Sequence, residues 1–157
     1  MDKKVCIVPG SYDPVTNGHV FLVEKALEKF DKVYVGLLVN ENKQSYFTKQ
    51  QKLDMMKIAL EKYDRTEIIV HDGLMADLAR SLNAVSVRGY RDEKDLAYEK
   101  DMDIKNSEIY PEFETVLIKT DEKYKNISST MVRELIKQKK DIKDFVPEGV
   151  EEYIRQL

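Results

Sequence analysis

Five short apolar runs rich in β-branched residues, alternating with segments of helical spacing, constrain this chain more than any other feature. The runs are Val5-Cys6-Ile7-Val8, Val33 to Val39, Ile68-Ile69-Val70, Ala84 to Val87 and Val116-Leu117-Ile118, and they read as five buried strands. Between them Val20, Val23, Leu27 and Phe30, then Leu53, Met56 and Leu60, then Leu74, Leu78 and Leu82 recur at the three- and four-residue intervals of a helix's buried stripe. Parallel strands need crossover connections, and helices supply them with a fixed hand. The alternation therefore predicts an α/β fold, a doubly wound five-stranded parallel sheet covered by helices on both faces.

At 157 residues, 42% apolar and 35% charged, the chain has the length of one domain over residues 1–157, with a real core and a heavily charged surface. The single cysteine, Cys6, excludes an intramolecular disulfide framework and a Cys-rich zinc site, and reads as a small core residue on a strand in a reducing compartment. A formal charge of -3, from 26 basic and 29 acidic side chains, gives no global field for nucleic acid, so any polyanion site must be local. No stretch approaches the roughly 20 apolar residues of a membrane span. The Met1-Asp2-Lys3-Lys4 start runs straight into the first strand, so neither anchor nor export signal is expected, and the expectation is a cytoplasmic protein.

Several helix starts are legible. Thr48-Lys49-Gln50-Gln51 has the form of a capping box. Asp92 to about Asn106, dense in Asp, Glu and Lys, reads either as a helix with a solvated face or as a charged loop that orders on ligand binding. Pro147-Glu148 suits the first turn of a terminal helix carrying Tyr153, Ile154 and Leu157.

Ligands of open parallel sheets bind beyond the carboxyl ends of the strands, where the winding reverses. The first strand leads there into Pro9-Gly10-Ser11-Tyr12-Asp13-Pro14-Val15-Thr16-Asn17-Gly18-His19, a long turn feeding a helix N-terminus suited to an anion. Its glycine spacing fits neither the dinucleotide fingerprint nor a P-loop. His19 sits at the helix start within reach of a phosphate, although a lone histidine in a core-facing position is usually structural; His71, ending the third strand, has no comparable setting. A second constellation, Asn126-Ile127-Ser128-Ser129-Thr130-Met131-Val132-Arg133, opens a helix after the fifth strand. One hydroxyl there is explained by capping, but three with a following arginine fit phosphate binding as well. Arg88-Gly89-Tyr90-Arg91 ends the fourth strand with two guanidinium groups, and Lys43 adds a cation after the second.

Together these residues resemble the nucleotidyltransferase superfamily. Thr16-Asn17-Gly18-His19 is similar to its Thr/His-x-Gly-His motif, and Ile127 to Arg133 to its Ile-Ser-Ser-Thr-x-x-Arg motif. Pro9 to Pro14, Leu74-Met75-Ala76, Arg88-Gly89-x-Arg91 and Asp95-x-x-Tyr98-Glu99 extend the likeness to bacterial phosphopantetheine adenylyltransferases over essentially the whole chain. Such a resemblance implies a Rossmann-like nucleotidyltransferase fold, transfer of an adenylyl group from ATP to 4'-phosphopantetheine with Mg2+, release of dephospho-coenzyme A and pyrophosphate, product-like binding of coenzyme A, and a homohexamer.

Carried over by residue, the likeness implies catalytic roles for His19, Lys43 and Arg91. It implies nucleotide contacts by Ser11, Tyr12, His19, Gly89, Tyr90, Arg91, Glu99 and the segment Tyr124, Lys125, Asn126, Ile127, Ser128, Ser129 and Thr130. Ser11, Lys43, Met75 and Arg88 correspond to acceptor contacts. Tyr90 stands where leucine is usual, Ala97 where glutamate is usual, and Asn126 where an aromatic residue is frequent; Lys43 is followed by Gln44-Ser45 where a proline tends to lie nearby. The chemistry agrees with the inventory: a phosphate monoester is already an anionic nucleophile, so attack on the α-phosphorus needs positioning and charge stabilisation, with no side-chain nucleophile. No protein ligand for magnesium is identified, and phosphate oxygens and water can supply most of its shell. Two other readings stand beside this one. One is a nucleotidyltransferase acting on a pyridine mononucleotide or a cytidylyl acceptor. The other is a non-catalytic nucleotide-binding α/β domain, which leaves His19 idle. Leu74 and Met75 beside a lysine and an arginine favour a long, partly apolar phosphorylated acceptor.

Overall fold

The computed structural model describes residues 4–40 and 42–157. In chain order the elements are β1 (Val5–Gly10), α1 (Asn17–Lys29), β2 (Lys32–Val39), α2 (Lys49–Leu60), β3 (Thr66–Asp72), α3 (Met75–Leu82), β4 (Val85–Tyr90), α4 (Glu93–Ile109), β5 (Thr115–Lys119), a 3₁₀ turn (Glu122–Tyr124), α5 (Ser129–Lys137) and α6 (Val150–Arg155). The five strands form one sheet in the order β3-β2-β1-β4-β5, and every pairing is parallel. This is the doubly wound, Rossmann-like sheet that the alternation predicts.

Strand pleating distributes the core. Cys6 and Val8 project to one face, where Val23 and Ala26 of α1, Met55 and Met56 of α2, Val132 of α5 and Val150 of α6 cover them. Ile7 projects to the other, against Ala76, Leu78 and Ala79 of α3 and against Tyr110 and Phe113 just beyond α4. Cys6 is wholly buried, and burial pushes its thiol up to about 12, which makes it an inert core residue.

The structure corrects two readings and settles a third that was open. The outer strands β3 and β5 are half-exposed rather than buried on both faces, and Val70 is 44% exposed; a strand at a sheet edge lacks a neighbour on one side. Asp92 to Asn106 is a helix, capped by Asp92 accepting from Asp95 N at 2.9 Å, and Glu99 is its one buried residue. Pro147 does not enter the terminal helix, because Gly149 adopts φ 89° and turns the chain so that α6 starts at Val150. The Thr48 capping box forms as expected, with Gln51 N to Thr48 Oγ1 at 3.1 Å and Thr48 N to Gln51 Oε1 at 2.9 Å. Among the described residues no helix is long and apolar enough to cross a membrane.

One departure from regularity creates the site. β1 pairs with β2 along all six of its residues, but with β4 only at Cys6–Val85 and Ile7–Ser86. Beyond that point the two central strands part, and a crevice opens between their carboxyl ends at the reversal of winding.

Candidate active site

The wall of the crevice after β1 is a strained turn. Tyr12 has φ 44°, a left-handed backbone that non-glycine residues seldom adopt. It is held there by burial, by its hydroxyl donating to Val8 O at 2.7 Å, and by its ring lying 4.7 Å from that of His19.

His19 is the third residue of α1 and completes an unusual capping box. Thr16 Oγ1 accepts from His19 N at 3.4 Å, and His19 Nδ1 accepts from Thr16 N at 2.9 Å. Because Nδ1 is an acceptor for a backbone amide, the ring proton of the neutral form belongs on Nε2. Burial, and then repulsion from the Arg88 guanidinium, push the imidazole down to about 4, so at neutral pH His19 is an uncharged donor at Nε2. The alternative of a purely structural histidine is met in part: Nδ1 caps the helix, while the ring lines the cavity.

Asp13 ties three segments together. Its carboxylate accepts from Tyr46 N at 2.8 Å and Phe47 N at 2.9 Å, and its carbonyl accepts from Arg133 Nη1 at 2.8 Å. The loop before α2, the turn after β1 and helix α5 are thus fixed to one residue. Lys52, also buried, donates to Ser45 Oγ at 2.7 Å; burial lowers its ammonium pKa, opposed by Asp13 and reinforced by Arg133.

Across the crevice, Arg88 Nη1 donates to Pro9 O at 3.0 Å and so bridges β4 to β1 where they have separated. Its Nε lies 3.0 and 3.2 Å from the two oxygens of Glu99, whose side chain is 8% exposed. The carboxylate assigned to the nucleotide by resemblance is therefore engaged in aiming an arginine. Arg91 is held similarly but on the surface, its Nε 3.2 Å from Asp95 Oδ2.

The hydroxyl cluster divides its labour. Ser128 caps α5 by accepting from Met131 N at 3.1 Å. Ser129 Oγ donates to Pro14 O at 2.8 Å, and Thr130 Oγ1 accepts from Arg133 Nη2 at 3.1 Å. With the Ser129 proton committed to the turn after β1, the donors left for an anion at this end are the Thr130 hydroxyl proton and the free amides of the first turn of α5, beside Arg133.

These parts surround a cavity of about 660 Å³. It brings together Ser11, Tyr12, His19, Arg88, Gly89, Arg91, Glu99, Tyr124, Ile127, Ser128, Ser129 and Thr130 with Asp13 and Arg133. Tyr90, Lys125 and Asn126 do not line it. Lys43 is exposed and lines an adjoining cavity of about 350 Å³ whose wall shares Ser11 and Leu38. Met75 lines a third, of about 170 Å³, which shares Pro9, Leu38, Arg88, Tyr98 and Glu99 with the first and continues past Met102, Asn106 and Phe113. Sequence reasoning missed Phe21, Leu22 and Thr120 on the main cavity. Phe21 carried a usable signal, since it lies off the Val20, Val23, Leu27 and Phe30 stripe of its own helix.

The sheet parts at its winding reversal, and a neutral histidine, two helix N-termini and arginines face the crevice that opens there. Residues 7–135 match the family described as cytidylyltransferase-like. Among curated proteins the chain is 41% identical over 152 residues to the phosphopantetheine adenylyltransferase of Streptococcus gordonii, covering 96% of this chain and 93% of that one. It is 38% identical to that of Alkaliphilus metalliredigens, covering 94% of each, and 38% identical to that of Streptococcus pneumoniae, covering 99% and 97%. The chain belongs to the phosphopantetheine adenylyltransferase family.

Proposed function

We propose that this protein transfers the adenylyl group of ATP to the phosphate of 4'-phosphopantetheine, giving dephospho-coenzyme A and pyrophosphate in coenzyme A synthesis. The observation that carries this reading is His19, held by its own capping box as a neutral Nε2 donor in a crevice lined by Arg88, Arg91 and Arg133. A phosphate oxygen of the acceptor attacks the α-phosphorus as the bond to the bridging oxygen of pyrophosphate breaks, and the electron pair leaves with pyrophosphate. The nucleophile arrives deprotonated, so the chain needs no general base. His19 Nε2–H donates to a non-bridging α-phosphate oxygen, whose charge grows in the transition state. The amides opening α5, with Arg133, receive the β and γ phosphates. Lys43 and Arg88 hold the incoming phosphate, and the apolar cavity past Met75 takes the length of the acceptor.

Magnesium enters this reading as the counter-ion of the triphosphate. The nearby carboxylates are already engaged, Asp13 by two amides, Glu99 by Arg88 and Asp95 by Arg91. Among the described residues no group of three or more His, Cys, Asp or Glu could hold a metal. Phosphate oxygens and water would supply most of its shell when the ion is bound, where it would offset the charge of the triphosphate. A homohexamer is the assembly the family likeness favours; Val70, Leu74 and Ile104 are exposed apolar side chains an interface would cover.

Pyrophosphate release from ATP, measured with 4'-phosphopantetheine, nicotinamide mononucleotide and glycerol 3-phosphate as competing acceptors, tests the reading. Turnover with the first is expected; turnover only with another acceptor, or with none, overturns it.

A further inference from the structure

Lys52 is an ammonium in an unfavourable place. It ends the first turn of α2, where the unpaired amides of the helix already carry positive charge and no acidic residue offsets it, and it is only 6% exposed. Among the described residues it forms no ion pair. The Asp13 carboxylate attracts it from a distance, but the two Asp13 oxygens are engaged by the amides of Tyr46 and Phe47, and Arg133 repels it. An apolar side chain of the same length would fill this space without giving up the hydration of a charge. What the ammonium adds is one short hydrogen bond, from Nζ to Ser45 Oγ at 2.7 Å. Ser45 is exposed, so a buried group on α2 reaches outward to hold the loop between β2 and α2.

That loop carries Lys43. Lys43 N donates to Asn40 O at 3.0 Å where the loop leaves β2, while Tyr46 and Phe47 are fastened to Asp13 at its other end. Ser45, two residues after Lys43, extends the fastened stretch towards it. Lys43 and Lys52 line the same cavity of about 350 Å³, with Ser11. Among the described residues the Lys43 ammonium has no ion pair either, so the path of the loop decides where that charge stands. We propose that Lys52 is a positioning residue: through Ser45 it fixes the loop between β2 and α2, and so aims Lys43 at the incoming phosphate without touching either substrate. The inference rests on the adenylyl-transfer reading and on the place of Lys43 within it. Small displacements of a charged group that orients a reactant are felt strongly in the rate, because the bound geometry must be close to that of attack.

The test measures kcat and the KM values for 4'-phosphopantetheine and ATP in the full-length chain, in Lys52→Met, Ser45→Ala and Lys43→Ala, and in each of the first two combined with Lys43→Ala. Lys52→Met should raise KM for the acceptor on the order of 10-fold, with KM for ATP little changed. In the Lys43→Ala background the same substitution should add nothing further, because a residue that acts through Lys43 has nothing left to aim. Ser45→Ala breaks the tie from its exposed end, so it should fold if Lys52→Met does not, and should show the same split in smaller degree. A merely structural lysine would raise both KM values alike, or act additively with Lys43→Ala. Either result, or an unchanged acceptor KM, in whichever variant retains the wild-type melting transition, overturns the proposal. Failure of the functional reading looks different: wild-type protein would release no pyrophosphate with 4'-phosphopantetheine, and the inference would fall with it. Wild-type turnover beside an unaltered acceptor KM in a folded variant would reject the role of Lys52 alone.

Discussion

Arg88 Nε sits 3.0 and 3.2 Å from the two carboxylate oxygens of Glu99, while Nη1 of the same guanidinium reaches Pro9 O on the opposite side of the crevice. A helix residue thus aims a strand residue across the gap between β4 and β1, leaving Nη2 for an anion. Replacing Glu99 by Gln keeps the shape and removes the charge. Steady-state kinetics should show kcat/KM for the phosphorylated acceptor lowered on the order of 10²-fold, as for other displaced positioning groups, with ATP affinity little changed. A comparable loss of ATP affinity would make Glu99 a nucleotide contact.

His19 serves both the helix and the cavity, and the two roles separate in one variant. His19→Ala should lower kcat on the order of 10²-fold or more while leaving ATP binding intact, because the donor acts on charge that develops in the transition state. The loss of the Thr16 N–His19 Nδ1 half of the capping box should appear independently, as a change in melting temperature, while the Thr16 Oγ1 half is kept. Turnover within a few-fold of wild type would remove His19 from the mechanism.

The pH response follows from the depressed pKa of His19, about 4 against an ordinary 6.5. The unfolded chain binds a proton here at higher pH than the folded one, so the stability associated with neutral His19 is complete above 6.5 and is lost as pH falls towards 4. Melting temperature should drop across that window more steeply for wild type than for His19→Ala. Likewise kcat/KM should show no acid limb near 6.5 from this residue, whereas a limb there that vanishes in His19→Ala would contradict the neutral-donor assignment.

Ser128 and Ser129 are adjacent hydroxyls with different partners, which makes them a matched pair. Ser128→Ala removes the cap of α5 and should cost about 1 kcal/mol of stability with little change in rate at temperatures where the protein is folded. Ser129→Ala releases Pro14 O, and with Thr130→Ala should slow adenylyl transfer and its reversal from dephospho-coenzyme A and pyrophosphate alike. Both rates and the unfolding transition can be read on the same proteins; intact rates in the double variant would reduce the cluster to a cap.

Lys43 lies outside the main cavity, on the wall shared through Ser11. Lys43→Ala should raise KM for the acceptor more than KM for ATP if, as proposed, its charge receives the incoming phosphate. Equal effects on the two substrates would reject that division.

The periodicity of the chain determined a great deal by itself. Strand runs too short to be helices, separated by helical stripes, admit little except a parallel sheet with crossovers, and β1 to β4 begin within a residue or two of the apolar runs. The loop ending at His19 and the hydroxyls opening α5 were legible as helix starts too, because caps are local features. What each residue does there was not. Ser129 carries the right group for a phosphate, yet Pro14 O, 115 positions away in sequence, takes its proton. Glu99 reads as a nucleotide contact until Arg88 is seen beside it, and Phe21 reads as one more apolar residue until both cores are found filled without it. A hydroxyl, a carboxylate and a ring have several partners of equal chemical merit along a chain, and composition cannot rank them. Only the parting of β1 from β4 after two paired residues decides which partners lie within 3 Å or so, because that separation is set by how helices on both faces pack against the sheet rather than by any stretch of sequence alone.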